Sequence, residues 1–465
     1  MRGWARLGLI VGLLGSSLAA PGAVDAQALG PVYLVEAGDT LWGIAVKFGL
    51  EVNELAAAND MSVNDALSVG RELAIPGFDG ISGVLATRPI AFGETLRSIS
   101  LRHGLDPATL ARLNRVVNPE RLFAGQDIIY PQGQGDGLLL TEAAPILAAR
   151  DETDIERSMG TGLSTWTLRA INDRGTRMWT VPGEPIIVPL AGRPTTGLPA
   201  ALQDMRVDPL PARQGRAAEV EVSLMPPEVV EGMLGPWVLN FEPTEGGRWV
   251  ALQGIHAMAE PGMIDLTLRV SPGGGGEVFS FSQPVYLASG DYGFDPVLNV
   301  PDETIDPATT QPENERVAAV VAPVTPERLW DGPFVFPAGY TESFPSRFGA
   351  RRNYNGLGYN YYHTGLDFYG GTGTVITAPA RGRVVFADAL TVRGKTIIVD
   401  HGWGVYSAFL HQSEILVAPG DIVEQGQTIG LVGATGRVTG PHLHWEVWVG
   451  GVPVDPQRWV ERAYP

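Results

Sequence analysis

Four residues recur at fixed intervals three times within the first 190 positions, which limits the amino-terminal part of this chain to a string of small, like units. Thr40, Gly49, Asn59 and Pro76 return as Thr95, Gly104, Asn114 and Pro131, a shift of 55, and as Thr153, Gly162, Asn172 and Pro189, a further shift of 58. The internal spacings of 9, 10 and 17 are identical in all three copies, as expected of a repeated supersecondary unit. Each copy reads strand, helix, helix, strand. In the first, Tyr33-Leu34-Val35 is an apolar run, and Gly38-Asp39-Thr40 offers Thr or Asp as a helix cap. Leu41, Ile44, Ala45 and Phe48 then share one helical face, and Gly49 ends the helix. A second helix is expected from Val52 to Asn59 and a closing strand over Leu73-Ala74-Ile75-Pro76.

The phrase Gly38-Asp39-Thr40-Leu41-Trp42-Gly43-Ile44-Ala45 is close to a LysM signature, and residues 31–77 resemble a LysM domain of βααβ form. The second unit, residues 84–132, keeps Gly93-Glu94-Thr95-Leu96 and Ile99. The resemblance implies binding to the N-acetylglucosamine-containing glycans of peptidoglycan and chitin. The third unit, residues 145–190, has Asp154 and Arg157 where the first has Leu41 and Ile44. It reads as a degenerate LysM-like spacer.

Residues 191–214, rich in Pro and Gly, read as a linker. Over residues 215–290 short apolar runs such as Ala218–Val222, Trp237–Phe241, Ile264–Leu268 and Val278–Phe281 are separated by turn residues. That spacing predicts a β-sandwich of immunoglobulin-like type, with a spacer or substrate-positioning role. Residues 291–331, rich in Pro, Asp, Glu and Thr, read as a second linker with a short helix. At the amino terminus, Arg2 and Arg6 precede an apolar run from Leu7 to Ala20, and small residues lead to Val24-Asp25-Ala26. Residues 1–26 are therefore expected to be a secretory signal peptide, placing the mature protein in the envelope: extracellular, cell wall or periplasm. No cysteine is present, so disulfides, thiolate metal sites and a lipoprotein anchor are excluded. The formal charge of −18 becomes −19 without residues 1–26, which carry two Arg and one Asp. So acidic a chain is a poor ligand for nucleic acid or anionic membranes and suits neutral glycans or peptides.

Five of the seven histidines fall in the last 103 residues, in a segment from 332 to 465 expected to be antiparallel β structure. His363-Thr364-Gly365-Leu366-Asp367 leads into a strand, and His442-Leu443-His444 begins another. By strand periodicity His363, Gly365 and Asp367 share one face; His442 and His444 share another, with Trp445, Val447 and Val449 opposed to them. Gly365 puts little bulk beside a shared ion. Catalytic zinc takes three protein ligands from His, Asp or Glu and leaves one position open. Parity alone leaves open whether His442 or His444 would ligate.

This region resembles the lysostaphin-like zinc endopeptidases, which cut the peptide part of peptidoglycan. The matching stretches are Ser346-Arg347-Phe348-Gly349, His363–Asp367, Asp400-His401-Gly402-Trp403-Gly404, Leu410-His411, Gly426–Gly430 and Thr439–Glu446, with Phe409 where many relatives have Tyr. The resemblance implies one Zn2+ on His363, Asp367 and His444, with His411 and His442 as the non-ligand pair that takes the water proton and steadies the oxyanion. Glu446 shares parity with His444 and is a candidate to orient it, but is expected to be a surface or salt-bridged glutamate. His401 is expected to be structural, and His103 and His256 ordinary surface or partly buried residues.

The whole reads as an exported zinc metalloendopeptidase held on peptidoglycan by LysM modules. The alternative is a non-catalytic wall-binding protein that activates a separate amidase, as some relatives without the full ligand set do. The complete set His363, Asp367 and His444 favours the enzyme.

Overall fold

The computed structural model describes residues 30–78, 80–103, 105–132, 143–148, 202–224, 228–244, 246–272, 279–339 and 344–465, with scattered positions between 153 and 189. The expected signal peptide, most of the third repeat and residues 191–201 lie outside them. The chain divides into two compact units, residues 1–86 with 129–135, and residues 87–128 with 136–465.

In the first unit, Thr40 caps the helix Leu41–Phe48 by accepting from the Gly43 amide, and Gly49 ends it in the left-handed conformation. Leu41, Ile44, Ala45 and Phe48 are buried, whereas Trp42 is 68% exposed. The strand Val32–Leu34 pairs antiparallel with Glu72–Ala74 and parallel with the start of the next repeat at Val84. The recurring asparagine has a structural explanation. Asn59 Nδ2 donates to the Leu55 and Ala74 carbonyls, and the Ala74 amide donates to Asn59 Oδ1, tying the second helix to the closing strand.

The second unit holds the helices Leu96–Arg102 and Pro107–Leu113 of the second repeat. In the third repeat, Ala143–Leu147 pairs antiparallel with Pro185–Pro189, and Asn172 bonds Leu168 and Ile187 as Asn59 bonds Leu55 and Ala74. Arg157 is buried at the position of Ile44. The asparagine clamp therefore persists where the signature is lost.

The next module has a five-stranded and a four-stranded antiparallel-rich sheet around one core that includes Val220, Val222, Leu266, Leu268, Val285 and Leu287. It begins earlier than expected. Leu202–Asp208, read as linker, is a strand paired with Ala217–Leu224; its Pro neighbours hid an alternating run. Arg462 pairs with Asp208 at 3.0 Å and with Glu219, and the Asp455 amide donates to the Gly215 carbonyl at 2.8 Å, joining this module to the carboxy-terminal one.

The carboxy-terminal module is a seven-stranded sheet in which Leu366–Tyr369, His442–Val449, Val405–Gln412, Gly394–Gly402, Gly382–Leu390 and Ile422–Val423 lie side by side, all antiparallel. One face packs Phe368, Phe409, Trp445, Val447 and Val449 into the main core with Trp330 and Trp459. The other face is shared between the polar site and a helix, Pro307–Val321, whose Val317 and Val321 pack on Tyr406, Ala408 and Leu410. The short helix expected within the 291–331 linker is thus a packed part of the module: Asp306 caps it, Pro307 opens it, and Val317 and Val321, with the partly buried Val320, supply its apolar stripe. So short a stripe in a Pro- and acid-rich stretch resembles a linker by composition.

Candidate metal centre

Antiparallel register places Asp367 directly opposite His444 on neighbouring strands. His363 reaches them from the turn before Leu366. Gly365 is the only residue type that fits that turn, because a Cβ there would lie 2.3 Å from the Trp445 carbonyl oxygen and 2.8 Å from His444 Nε2.

His363 Nε2, Asp367 Oδ1 and His444 Nδ1 converge, at 3.0 Å, 2.8 Å and 2.9 Å from one another. The far nitrogen of each imidazole decides what these atoms are. His363 Nδ1 lies 2.9 Å from the Arg347 carbonyl oxygen, which can only accept, so that nitrogen carries the proton and Nε2 presents a lone pair. His444 Nε2 lies 3.1 Å from Glu446 Oε1, a carboxylate, and donates to it. With Nε2 so engaged, His444 Nδ1 is the atom turned to the cluster. Two ring nitrogens and a carboxylate oxygen at these distances need one cation among them, either a proton on His444 or a metal ion. Two neutral histidines and one carboxylate are a zinc donor set. Ligands at about 2.0–2.1 Å in tetrahedral array stand about 3.3 Å apart, so binding asks the three atoms to spread by only a few tenths of an ångström. Among the described residues this is the grouping that could hold a metal ion.

The electrostatics agree. Burial pushes His363 down to about 4, against the pull of Asp367. Asp367 is held well below the usual carboxylate range: burial opposes this, but His363 and His444 outweigh it. His444 is raised despite burial, through its bonds to Asp367 and Glu446, and is where a proton sits when no metal does. Arg352 Nη2 stands 3.4 Å from Asp367 Oδ2 and also pairs with Asp295 at 3.3 Å. Nothing in the local sequence Arg351-Arg352 signals that role.

His411 and His442 flank the cluster with ring centroids 5.1 Å apart. His411 Nδ1 donates to the Thr435 carbonyl at 2.8 Å and His442 Nδ1 to the Gly440 carbonyl at 2.9 Å, so each turns Nε2 outward as an acceptor. His442 Nε2 is 3.7 Å from Asp367 Oδ1. Burial, followed by the neighbouring His444 and His442, pushes His411 down to about 3. Its backbone sits at φ 64, a left-handed conformation costly for a non-glycine residue and often found at functional sites.

Glu446 corrects one expectation. It is not on the surface, and its ion-pair partner is His444, at 3.1 Å, when that ring is protonated. It is 1% exposed and accepts from His444 Nε2, Thr364 Oγ1 and Trp448 Nε1. Burial raises its carboxyl, yet these partners, His444 first, bring it down to about 2. The pattern His-x-Glu on one strand face was a signal of this contact. His401 lies apart from the cluster, fully buried, with Nδ1 on the Arg381 carbonyl at 2.8 Å and Nε2 on Ser407 Oγ at 3.0 Å. His256 packs edge-on to Tyr362 at 5.1 Å, and His103 is partly buried outside the site.

The cluster opens on a groove of about 550 Å³ walled partly by the segment 295–314.

Comparison with known proteins places this geometry. Residues 361–456 match the model of Peptidase family M23, and residues 33–76 and 90–131 match that of the LysM domain. The chain thus carries an M23 peptidase domain and two LysM domains. It is 36% identical over 113 residues to the peptidoglycan DD-endopeptidase ShyB of Vibrio cholerae, covering 24% of this chain and 26% of that one. It is 43% identical over 96 residues to ShyA of the same organism, covering 21% and 22%. The chain therefore spans about a quarter of the length of these relatives. A solved catalytic domain of the prophage-encoded M23 protein EnpA from Enterococcus faecalis is 32% identical, covering 26% of this chain and 95% of that one, with a TM-score of 0.23.

Proposed function

We propose that this chain is an exported zinc-dependent endopeptidase that hydrolyses peptide bonds of peptidoglycan stem peptides or cross-bridges in the cell envelope, with LysM modules holding it on the glycan. The observation that carries the reading is the set of three acceptors, two of them with their tautomer chosen by a second hydrogen bond, facing one another beside two further histidines with free Nε2 atoms. His363, Asp367 and His444 would hold a zinc ion, which would supply Lewis acidity towards an amide carbonyl and a water.

The chain's own residues supply the rest. Glu446 fixes His444 in the ligating tautomer and raises its basicity. Arg352 steadies the far oxygen of Asp367. His411 Nδ1 is held by the Thr435 carbonyl, which leaves its Nε2 as the acceptor that takes a proton from water and returns it to the leaving amine. His442, on the rim, is placed to donate to an oxyanion once protonated. The groove positions the peptide across these groups. A non-catalytic reading would leave all five residues without a task.

The middle module is read as an immunoglobulin-like spacer that sets the distance between glycan-binding and cutting parts, and the third repeat as a degenerate LysM unit. Digestion of purified peptidoglycan and defined muropeptides by the full chain, with product masses, tests the proposal. Cleavage between two amino acids of the peptide, abolished by a chelator and restored by zinc, is the expected result. Cleavage only at the amide joining sugar to peptide, or none with zinc bound, would overturn it.

A further inference from the structure

The groove above the metal centre carries three arginines in an otherwise acidic protein, and their partners differ. Arg352 is engaged by Asp295 and Asp367. Arg393 is engaged by Glu313 at 3.0 Å. Arg437 lines the same groove, yet no carboxylate of the described residues pairs with it. Among the described residues its guanidinium donates one hydrogen bond, from Nη1 to the Thr304 carbonyl at 2.9 Å, and it lies over the Tyr354 ring, 4.3 Å from the centroid. Burial, with repulsion from Arg352 and Arg393, pushes Arg437 below its ordinary value. A guanidinium seated over an aromatic ring and fixed by one hydrogen bond, with most of its five N–H donors not engaged by the described residues, suits one ligand chemistry: a planar carboxylate taken by two parallel hydrogen bonds.

We propose that Arg437 forms a carboxylate subsite of the groove that recognises a free carboxylate on the peptide being cut. Two sources share this chemistry: the α-carboxylate at the end of a stem peptide and the side-chain carboxylate of an acidic or diamino-acid residue within it. The inference rests on the peptidase reading and adds what selects the substrate. Arg437 is a binding residue; its contacts are with Thr304 and Tyr354 and not with the three acceptors, and it does no proton transfer. The bond to Thr304 fixes the fork's orientation.

The test uses the zinc-loaded full chain and product peptides, which bind without being cut. Each peptide is made in three forms: unmodified, with the α-carboxylate amidated, and with the side-chain carboxylate amidated. Calorimetric titration should show the unmodified peptide bound about 10- to 100-fold more tightly than one of the amidated forms, the range expected for a charge-assisted hydrogen-bonded pair. Which form weakens identifies the source. Arg437→Gln should bind all three forms equally and weakly while keeping its zinc, and Arg437→Lys should recover part of the preference. Equal affinity of the wild type for all forms would overturn the subsite. So would an Arg437→Gln variant that keeps the preference between the forms, whether its affinities are unchanged or all lowered by the same factor, as a purely structural arginine would give. Charge-dependent binding without cleavage of any cross-linked peptide would keep the subsite and sink the peptidase reading; cleavage with no charge preference would do the reverse.

Discussion

His401 and His363 sit in the same module, at 0% and 1% exposure, and burial brings both down to about 4. By enclosure and proton affinity they are the same residue. They differ at the second ring nitrogen. His401 spends both on the protein, donating to the Arg381 carbonyl and accepting from Ser407, and its ring packs 4.9 Å from Phe334. His363 spends one on the Arg347 carbonyl and turns the other to Asp367 and His444. His411 and His442 follow the second arrangement. A buried histidine in this fold is therefore available for chemistry only where the protein leaves one nitrogen unspent, and burial or pKa alone would not separate the pocket from the centre.

The largest effect should come from removing an acceptor. His363→Ala, Asp367→Ala and His444→Ala should each lose bound zinc and, with it, peptidoglycan hydrolysis, since two ligands leave an open, weak site. Metal analysis of the purified variants checks this, and full zinc retention in all three would break the assignment. Acid should act in the same direction. Because His444 is raised above an ordinary histidine, protons compete for it as pH falls, and the apparent zinc affinity should begin to weaken above the pH at which an unperturbed imidazole titrates.

The flanking pair should give a smaller, cleaner loss. His411→Ala and His442→Ala should keep zinc but lose about 10²–10⁴-fold in turnover. The double variant should lose much less than the product of the two, as groups acting on one water are not additive. Equal loss of zinc in these variants would move them into the ligand set.

Glu446 tests whether the spent nitrogen matters as much as the unspent one. Glu446→Ala removes the acceptor for His444 Nε2 and leaves Trp448 Nε1 and Thr364 Oγ1 unpaired. Zinc affinity should fall about 10- to 100-fold, measured by competition with a chelator of known strength, with partial recovery in Glu446→Gln. No change would mean that Arg347 and packing alone orient the site.

Much of this contrast was legible in the residues, and the parts that were not have physical reasons. Strand parity put His444 and Trp445 on opposite faces, and the observed register sets Asp367 against His444. Parity could not choose between His442 and His444, since both point the same way; the choice depends on depth along the strand, where His442 meets the rim and His444 the Glu446 carboxylate. Arg352 and the packing of the helix Pro307–Val321, a helix expected within 291–331, were illegible for another reason. They reach the groove through contacts far apart in sequence, such as Glu313 with Arg393, that no local pattern encodes. The repeat spacing was read as a unit length, and the structure gives its cause at Asn59 and Asn172, which bond the strand fifteen residues on in both copies.

The smallest catalytic effect, and the sharpest control, is expected at His401. His401→Gln should keep zinc and near wild-type turnover, because nothing it touches faces the groove. Its effect should be on stability and should depend on pH with a definite sign. In the folded chain His401 is lowered from 6.5 to about 4 by burial, so below 6.5 the unfolded chain binds a proton that the folded chain refuses. The stability this histidine contributes is thus fully present above pH 6.5 and is lost as pH falls towards 4, at a slope of at most about 1.4 kcal/mol per pH unit for one proton. His363 and His411 add slopes of the same sign, so the measurement is the difference between wild type and His401→Gln, both stripped of zinc, in denaturant unfolding at several pH values. Wild type should be the more stable above neutrality, and its advantage should shrink steadily on the acid side. A pH-independent difference would mean that His401 titrates alike in the folded and unfolded chains, and lost turnover with zinc and fold intact would erase the distinction between the pocket and the centre.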